Sequence, residues 1–157
     1  MFTNFLNELK LSLPNLYIIT ADAQKSSYET DWRKKFTTQC ITVVFPTLVT
    51  EIQQVIFICK KHKITITPQG GNTSTCGGSV PSLGIKNSII LNLSKMNKII
   101  EYDKNNSSLV VESGCTLSQV QQFALYNNYY FPLTIASEET CQIGGNVATN
   151  AGGVNVI

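Results

Sequence analysis

The stretch Thr67-Pro68-Gln69-Gly70-Gly71-Asn72-Thr73-Ser74-Thr75-Cys76-Gly77-Gly78-Ser79-Val80-Pro81 constrains this chain more than any other. It packs four glycines and five hydroxyl residues into one uncharged loop. It follows Ile64-Thr65-Ile66-Thr67, a β-branched run that reads as a strand. Glycine lets a backbone take positive φ and come close to a ligand. Successive N–H groups can then converge on one concavity, which suits phosphate oxygens. A second glycine-rich stretch, Ile143-Gly144-Gly145-Asn146-Val147-Ala148-Thr149-Asn150-Ala151-Gly152-Gly153, lies near the end of the chain. Either run alone is explained as well by a tight turn or a helix–sheet contact that needs small residues. Two such neutral runs, far apart in sequence, suggest one large anionic cofactor held between them.

The residues around the first run give its setting. Phe2, Phe5, Leu6 and Leu9 fall at helical spacing, with Glu8 and Lys10 between them, so residues about 3–11 read as a helix. Ser26 to Arg33 is polar with two aromatics and reads as a turn-rich approach. Ile41 to Phe45 reads as a strand stopped by Pro46. From about Thr50 to His62, Ile52, Val55, Ile56 and Cys59 form the apolar stripe of an amphipathic helix. Lys60, Lys61, His62 and Lys63 fall at its end, where they complement the helix dipole. With the strand at Ile64–Thr67 this makes a β-α-β unit, two parallel strands with a right-handed crossover. The glycine loop then hangs from the carboxyl end of a parallel strand, where ligands of α/β sheets usually sit. Ile89 to Leu93 reads as another strand. Ile99–Tyr102 and Leu109–Glu112 read as a hairpin across Asp103–Ser107. Thr116-Leu117-Ser118-Gln119 is a capping box opening a helix to about Asn127.

Length and composition narrow the class. The 157 residues are enough for one domain with a real core, and at 43% hydrophobic and 14% charged the chain is not a disordered one. A net charge of +2, with no basic stripe, argues against a nucleic-acid partner. The five cysteines are odd in number and scattered, none in a C-x-x-C pair, and there is one histidine, so no metal site is expected. No run is long and apolar enough to span a membrane, and the N-terminus lacks a signal peptide's continuous apolar core. A reduced, cytoplasmic protein is the economical expectation.

Standard nucleotide motifs are missing. Counting on from Gly70 or Gly71 gives no Walker A lysine, and G-x-G-x-x-G does not occur. The longer patterns do carry a resemblance. Pro68-Gln69-Gly70-Gly71-Asn72-Thr73, Gly77-Gly78-Ser79-Val80-Pro81 and Cys141-Gln142-Ile143-Gly144-Gly145-Asn146-Val147-Ala148-Thr149-Asn150-Ala151-Gly152-Gly153 resemble the FAD-linked oxidoreductases with a p-cresol methylhydroxylase-type flavin domain. Asp31-Trp32-Arg33, Met96-Asn97, Glu112-Ser113-Gly114-Cys115 and Phe131-Pro132-Leu133 add to it. Within that family the chain is most similar to the branch of D-2-hydroxyglutarate dehydrogenase, D-lactate dehydrogenase and the D subunit of glycolate oxidase.

The resemblance implies an α+β fold: an N-terminal β-α-β subdomain and the start of a second subdomain. Residues 1–30 are then an N-terminal helical and turn extension, and 31–157 the FAD-binding domain. It implies that Pro68, Gln69, Gly70, Gly71, Asn72 and Thr73 wrap the FAD pyrophosphate, with Asn72 and Thr73 as side-chain donors. Gly78 and Ser79 lie on the same side of the dinucleotide. Gly144, Gly145, Asn146, Thr149, Asn150 and Gly152 run towards the flavin, and Pro132 joins the cofactor contacts. With no histidine in the first loop and His62 before the strand, FAD is expected without a covalent bond. Cys76 is read as a small packing residue. Glu138-Glu139, two carboxylates in a row, would be unfavourable near a dianionic pyrophosphate unless they face water.

Members of the family continue well beyond the position of Val154-Asn155-Val156-Ile157. The chain is therefore read as truncated on its C-terminal side, lacking the substrate groups and the metal-binding histidines of this branch. A fragment, a split-gene product that pairs with a second polypeptide, and a remnant with weak or no FAD binding all fit that reading. The parent activity implied is oxidation of a small D-2-hydroxy acid to a 2-keto acid. No catalytic residue is assigned in this chain. An enolpyruvyl-sugar reductase on the same fold is the alternative.

Overall fold

A computed structural model describes residues 2–153 and 155. Of the closing stretch Val154-Asn155-Val156-Ile157, all but Asn155 lie outside the described residues, as does Met1. The chain divides into two compact units, Met1–Lys95 and Met96–Ile157.

The first unit is a sheet with helices on both faces. In chain order it contains α1 (Phe2–Ser12), β1 (Tyr17–Ile19), α2 (Asp22–Glu29), β2 (Val43–Phe45), α3 (Val49–His62), β3 (Thr65–Gln69) and β4 (Ser88–Asn92). The strand order is β1-β2-β4-β3. β2 and β3 each run parallel to β4, and β1 is antiparallel to β2. The expected β-α-β unit is therefore present as β2-α3-β3, but β4 lies between its two strands. Side-chain alternation along β2 and β4 sorts the core into two faces. Val44, Ile89 and Leu91 pack with Phe5 and Leu9 of α1 and with Val55, Ile58 and Cys59 of α3. Val43, Phe45 and Ile90 face the other way, with Ile19, Cys40 and Tyr28. Each fully buried Leu, Ile or Phe of this core contributes on the order of 1.5–3 kcal/mol. Burial also pushes the Cys40 and Cys59 thiols up to about 12, so neither is a nucleophile at neutral pH.

α3 opens where Glu51 reaches back to accept the N–H groups of Thr47 (2.6 Å) and Leu48 (3.2 Å). It closes at Lys63, whose φ of 54° is left-handed and whose N–H returns to the carbonyls of Cys59 and Lys60. The basic run thus falls on the last turn, as expected. Two elements of this unit differ from the sequence reading. β1 was not foreseen. α2 replaces the first half of the turn-rich approach, because a buried polar network supports it where apolar residues are few. Lys25, 6% exposed, donates to the carbonyl of Cys40 (2.6 Å) and lies 3.6 Å from Glu29, while Glu29 accepts the N–H of Cys40 (2.7 Å). Burial opposes the charge on Lys25, but Asp22 and Glu29 outweigh it and hold its ammonium above the ordinary lysine range.

The second unit contains the hairpin β5 (Ile99–Asp103) and β6 (Ser108–Val111), then α4 (Leu117–Tyr126) and α5 (Ile143–Ala148). The hairpin is antiparallel with an irregularity between Ile99 and Glu101. Thr116 caps α4 as the sequence predicts: its hydroxyl accepts the N–H of Gln119 (3.2 Å), and the Gln119 side chain accepts the N–H of Thr116 (2.8 Å). Leu117, Leu133 and Cys141 form its core, with Phe131, Ile135 and Ile143 against them.

Candidate functional site

β3 is an edge strand, and the first glycine segment leaves its carboxyl end. From Gly70 through Thr75 no backbone N–H donates to a protein acceptor among the described residues, and the next, of Cys76, goes to Ser74 Oγ (3.3 Å). Left-handed backbone falls on Asn72 (φ 55°) and Gly77 (φ 72°), not on Gly70 or Gly71. Gly71 is exposed and Gly70 half-buried. A run of unpaired donors with no carboxylate in the loop is what a phosphate-bearing ligand needs.

The side chains of the loop are used differently from the sequence expectation. Asn72 does not offer a free amide donor: its Nδ2 donates to the carbonyls of Thr30 (2.8 Å) and Ser27 (3.4 Å), and its Oδ1 accepts Ser79 Oγ (2.6 Å). Gln69 is 2% exposed, and its Nε2 donates to the carbonyls of Tyr28 (2.9 Å) and Ser79 (2.8 Å). Gln69, Asn72 and Ser79 therefore tie the loop down, which leaves Thr73 as the expected side-chain donor. Pro68, Gly71 and Gly78 are exposed, and Gly70 and Thr73 are half-buried.

A groove of about 430 Å³ runs beside the loop, lined among others by Phe36, Pro68, Cys76, Gly77, Gly78 and Leu83. Gly77 is required there, because a Cβ would lie 2.5 Å from the Phe36 ring and its φ is left-handed. Asp31 positions that ring from behind: its Oδ1 accepts the N–H of Phe36 (2.7 Å) and its Oδ2 that of Arg33 (3.2 Å). The Phe36 N–H foremost, helped by those of Arg33 and Lys35, holds the Asp31 carboxyl below its usual range against the opposing effect of burial. Cys76 is exposed, not packed. His62 is occupied elsewhere, 2.8 Å from Glu8 and edge-on to Phe5.

In the second unit the later glycine segment is mostly helix. Ile143 and Gly144 donate to the carbonyls of Cys115 (2.9 Å) and Ser113 (2.8 Å), so the Ser113-Gly114-Cys115 turn is the seat of α5. A Cβ on Gly144 would lie 2.6 Å from Ser113 Cβ, and one on Gly153 would lie 2.4 Å from the Thr134 carbonyl oxygen. Asn146 is buried, with Nδ2 towards Cys141 Sγ (3.6 Å). Thr149 donates its hydroxyl to the Gly145 carbonyl (2.8 Å), and Asn150 ends the segment at φ 49°. Gly145, Thr149, Asn150, Gly152 and Pro132 are exposed. Glu139 faces water, whereas Glu138 is half-buried, with Gln121 Nε2 3.5 Å from its Oε2. One residue escaped the sequence reading. Gln142, 7% exposed, has a buried Oε1 with no partner among the described residues. An acceptor left so is costly unless a ligand or further chain supplies a donor. Among the described residues no group of three or more His, Cys, Asp or Glu is placed to hold a metal, and no helix is long and apolar enough to cross a membrane.

A neutral loop of unpaired N–H groups at the end of a parallel edge strand suits a phosphate-bearing cofactor, and comparison with known proteins sharpens that reading. Residues 41–157 match the family described as FAD binding domain, and the chain belongs to it. It is 37% identical over 128 residues to the mitochondrial D-2-hydroxyglutarate dehydrogenase of Arabidopsis thaliana, covering 82% of this chain and 22% of that one. It is 32% identical over 152 residues to the D-2-hydroxyglutarate dehydrogenase of Stutzerimonas stutzeri, covering 97% and 32%. Among solved structures, an alkyldihydroxyacetonephosphate synthase superposes with a TM-score of 0.86 at 18% identity, covering 98% of this chain and 30% of that one. p-Cresol methylhydroxylase with substrate bound gives a TM-score of 0.74 at 25% identity, covering 93% and 29%. The fold is thus the α+β FAD-binding domain of the p-cresol methylhydroxylase type. The chain spans less than a third of the length of these relatives.

Proposed function

We propose that this chain holds FAD without a covalent bond, as the cofactor-binding part of an oxidoreductase that converts a D-2-hydroxy acid to a 2-keto acid. The observation that carries the reading is the run of unpaired N–H groups from Gly70 through Thr75. N–H groups left unpaired by the protein can meet the pyrophosphate without a lysine or arginine. Pro68, Gly70, Gly71, Thr73 and Gly78 contact the dinucleotide in this reading, with Gln69, Asn72 and Ser79 behind them. Pro132, Gly144, Gly145, Asn146, Thr149, Asn150 and Gly152 serve the flavin side, and the unpartnered Gln142 Oε1 accepts a donor there.

Bound flavin supplies the hydride acceptor. This chain's residues bind and orient it; removing the hydroxyl proton and fixing the substrate carbon fall to residues in the rest of an enzyme of the relatives' length, on the same or a second polypeptide. Purified chain titrated with FAD should quench flavin fluorescence saturably, and riboflavin, which lacks the pyrophosphate, should compete poorly. Equal binding of the two would overturn the reading. Acid precipitation should release all yellow colour to the supernatant, since the loop offers no histidine for attachment; colour that stays with the pellet would refute non-covalent binding. The five thiols, all free, fit the cytoplasm, where we place the protein; recovery in an organelle fraction would contradict that placement.

A further inference from the structure

The glycine loop owes its open form to polar side chains as well as to glycine. Asn92, 3% exposed at the end of β4, donates from Nδ2 to Gln69 Oε1 (3.1 Å) and more weakly to the Gly70 carbonyl (3.4 Å). Its own Oδ1 accepts the N–H of Ser94 (3.1 Å), which fixes the orientation of its amide. Gln69 passes that orientation on. Its Nε2 faces two carbonyls, those of Tyr28 and Ser79, and only one of the two ways round satisfies all three contacts. At the far side Ser79 Oγ donates to Asn72, whose amide is bound to Thr30. The residues that begin and end the loop are thus cross-tied, and the segment Gly70 to Thr75 bridges the ties with its N–H groups unspent.

We propose that Asn92 is a positioning residue of the phosphate loop. Through the Gln69 amide it presets the conformation of Gly70 to Thr75 in the ligand-free chain. A preset loop loses no backbone entropy when phosphate arrives, so the effect reaches ligand affinity as well as loop order. Without the Asn92 donor, Gln69 either leaves Oε1 unpaired in the interior or turns round and sets it against two carbonyls. The first removes the restraint that holds the Gln69 amide in one orientation, and the second breaks the tie to Ser79 outright.

The test is backbone amide relaxation of the whole ligand-free chain, in wild type, Asn92→Asp and Asn92→Ser. Asparagine to aspartate keeps the shape and the acceptor for Ser94 but loses the donor. Serine is neutral and too short to reach Gln69, and it decides the matter if the buried carboxylate prevents folding. Order parameters from Gly70 to Thr75 should fall from about 0.85, the value of rigid backbone, to below about 0.6, while those of β2 and α3 stay unchanged. Affinity for inorganic pyrophosphate and for FAD should fall together, by roughly ten-fold, the cost of one unsatisfied buried group. Unchanged loop order in the variants overturns the proposal, as does loosening spread evenly over the first unit, the mark of a merely structural residue. The affinity arm rests on the flavin reading above. Loop loosening in a chain that binds pyrophosphate but not FAD would sink that reading and leave the role of Asn92 standing.

Discussion

Among the described residues the backbone N–H groups from Gly70 to Thr75 have no acceptor, whereas in the later segment Ile143, Gly144, Asn146 and Thr149 all donate to carbonyls. The two stretches share a composition, and the physics that demands glycine differs. In the first, glycine keeps side chains away from a row of donors, and left-handed backbone falls on Asn72 and Gly77. In the second, Gly144 and Gly153 are pressed against the backbone of Ser113 and Thr134, where any side chain collides. Small residues alone therefore do not mark a ligand contact; what separates the two segments is whether the N–H groups are already spent on protein carbonyls.

The largest expected effect breaks the comparison at its first member. Gly71→Val sets a branched side chain over the donor row. FAD affinity should fall by more than about a hundred-fold, as expected when several charge-assisted hydrogen bonds are lost together. Stability should stay within about 0.5 kcal/mol, because the position is exposed. Calorimetric titration beside thermal melting separates the two, and a variant that binds FAD as wild type does would remove Gly71 from the site.

Two neighbouring glycines of α5 should move stability in opposite directions. Gly144→Ala drives its Cβ to 2.6 Å from Ser113 Cβ and 3.0 Å from its carbonyl oxygen. Overpacking of this kind costs about 1–3 kcal/mol, more than the helix propensity that alanine gains. Gly145→Ala meets nothing within 4 Å and should stabilise by about 0.5–1 kcal/mol. Urea melts of both variants decide it. If Gly144→Ala is neutral, the glycine-for-packing account of the second segment fails. Gly145→Ala should also bind FAD less well, since Gly145 is exposed and placed on the flavin side above; unchanged FAD affinity would remove Gly145 from that side.

Much of this was legible in the residues. The spacing of Ile52, Val55 and Cys59 announces α3, although Ile56 of the expected stripe is exposed and Ile58 is buried instead, and the Thr116–Gln119 box announces α4, because apolar period and caps are local signals. The loop's place at the end of a parallel strand followed from the strand–helix–strand order. What stayed hidden depends on contacts between residues far apart. α2 has little apolar stripe and is held by Lys25 and Glu29, charges that a hydrophobic pattern counts as surface. α5 contains two glycines and forms on the carbonyls of Ser113 and Cys115. At the site, the sequence offered Asn72 as a donor to ligand because amides in glycine loops so often are. Its partners, Ser27, Thr30 and Ser79, lie on both sides of it in sequence, and no spacing rule names them.

The smallest effect separates the segments by pH. The first leans on a charge: Asp31 accepts the N–H of Phe36, whose ring lies against Gly77. The second has no carboxylate between Ile143 and Gly153. Because the native environment holds the Asp31 carboxyl below its usual value, the unfolded chain takes up the proton first on acidification. The contribution of Asp31 is therefore complete above the unfolded value of about 3.9 and is lost as pH falls from there through the lower native one. Glu8, held down by Lys61 and then His62, adds to the same slope, starting from the slightly higher unfolded value of a glutamate. Asp31→Asn should flatten the acid limb of the melting-temperature profile without removing it, and leave the profile above pH about 6 parallel to wild type. Amide signals of residues 70–79 should broaden on acidification before those of Ile143 to Ala148 do. Simultaneous loss in both segments, or an acid limb unchanged in Asp31→Asn, would show that the Asp31–Phe36 turn does not support the phosphate loop.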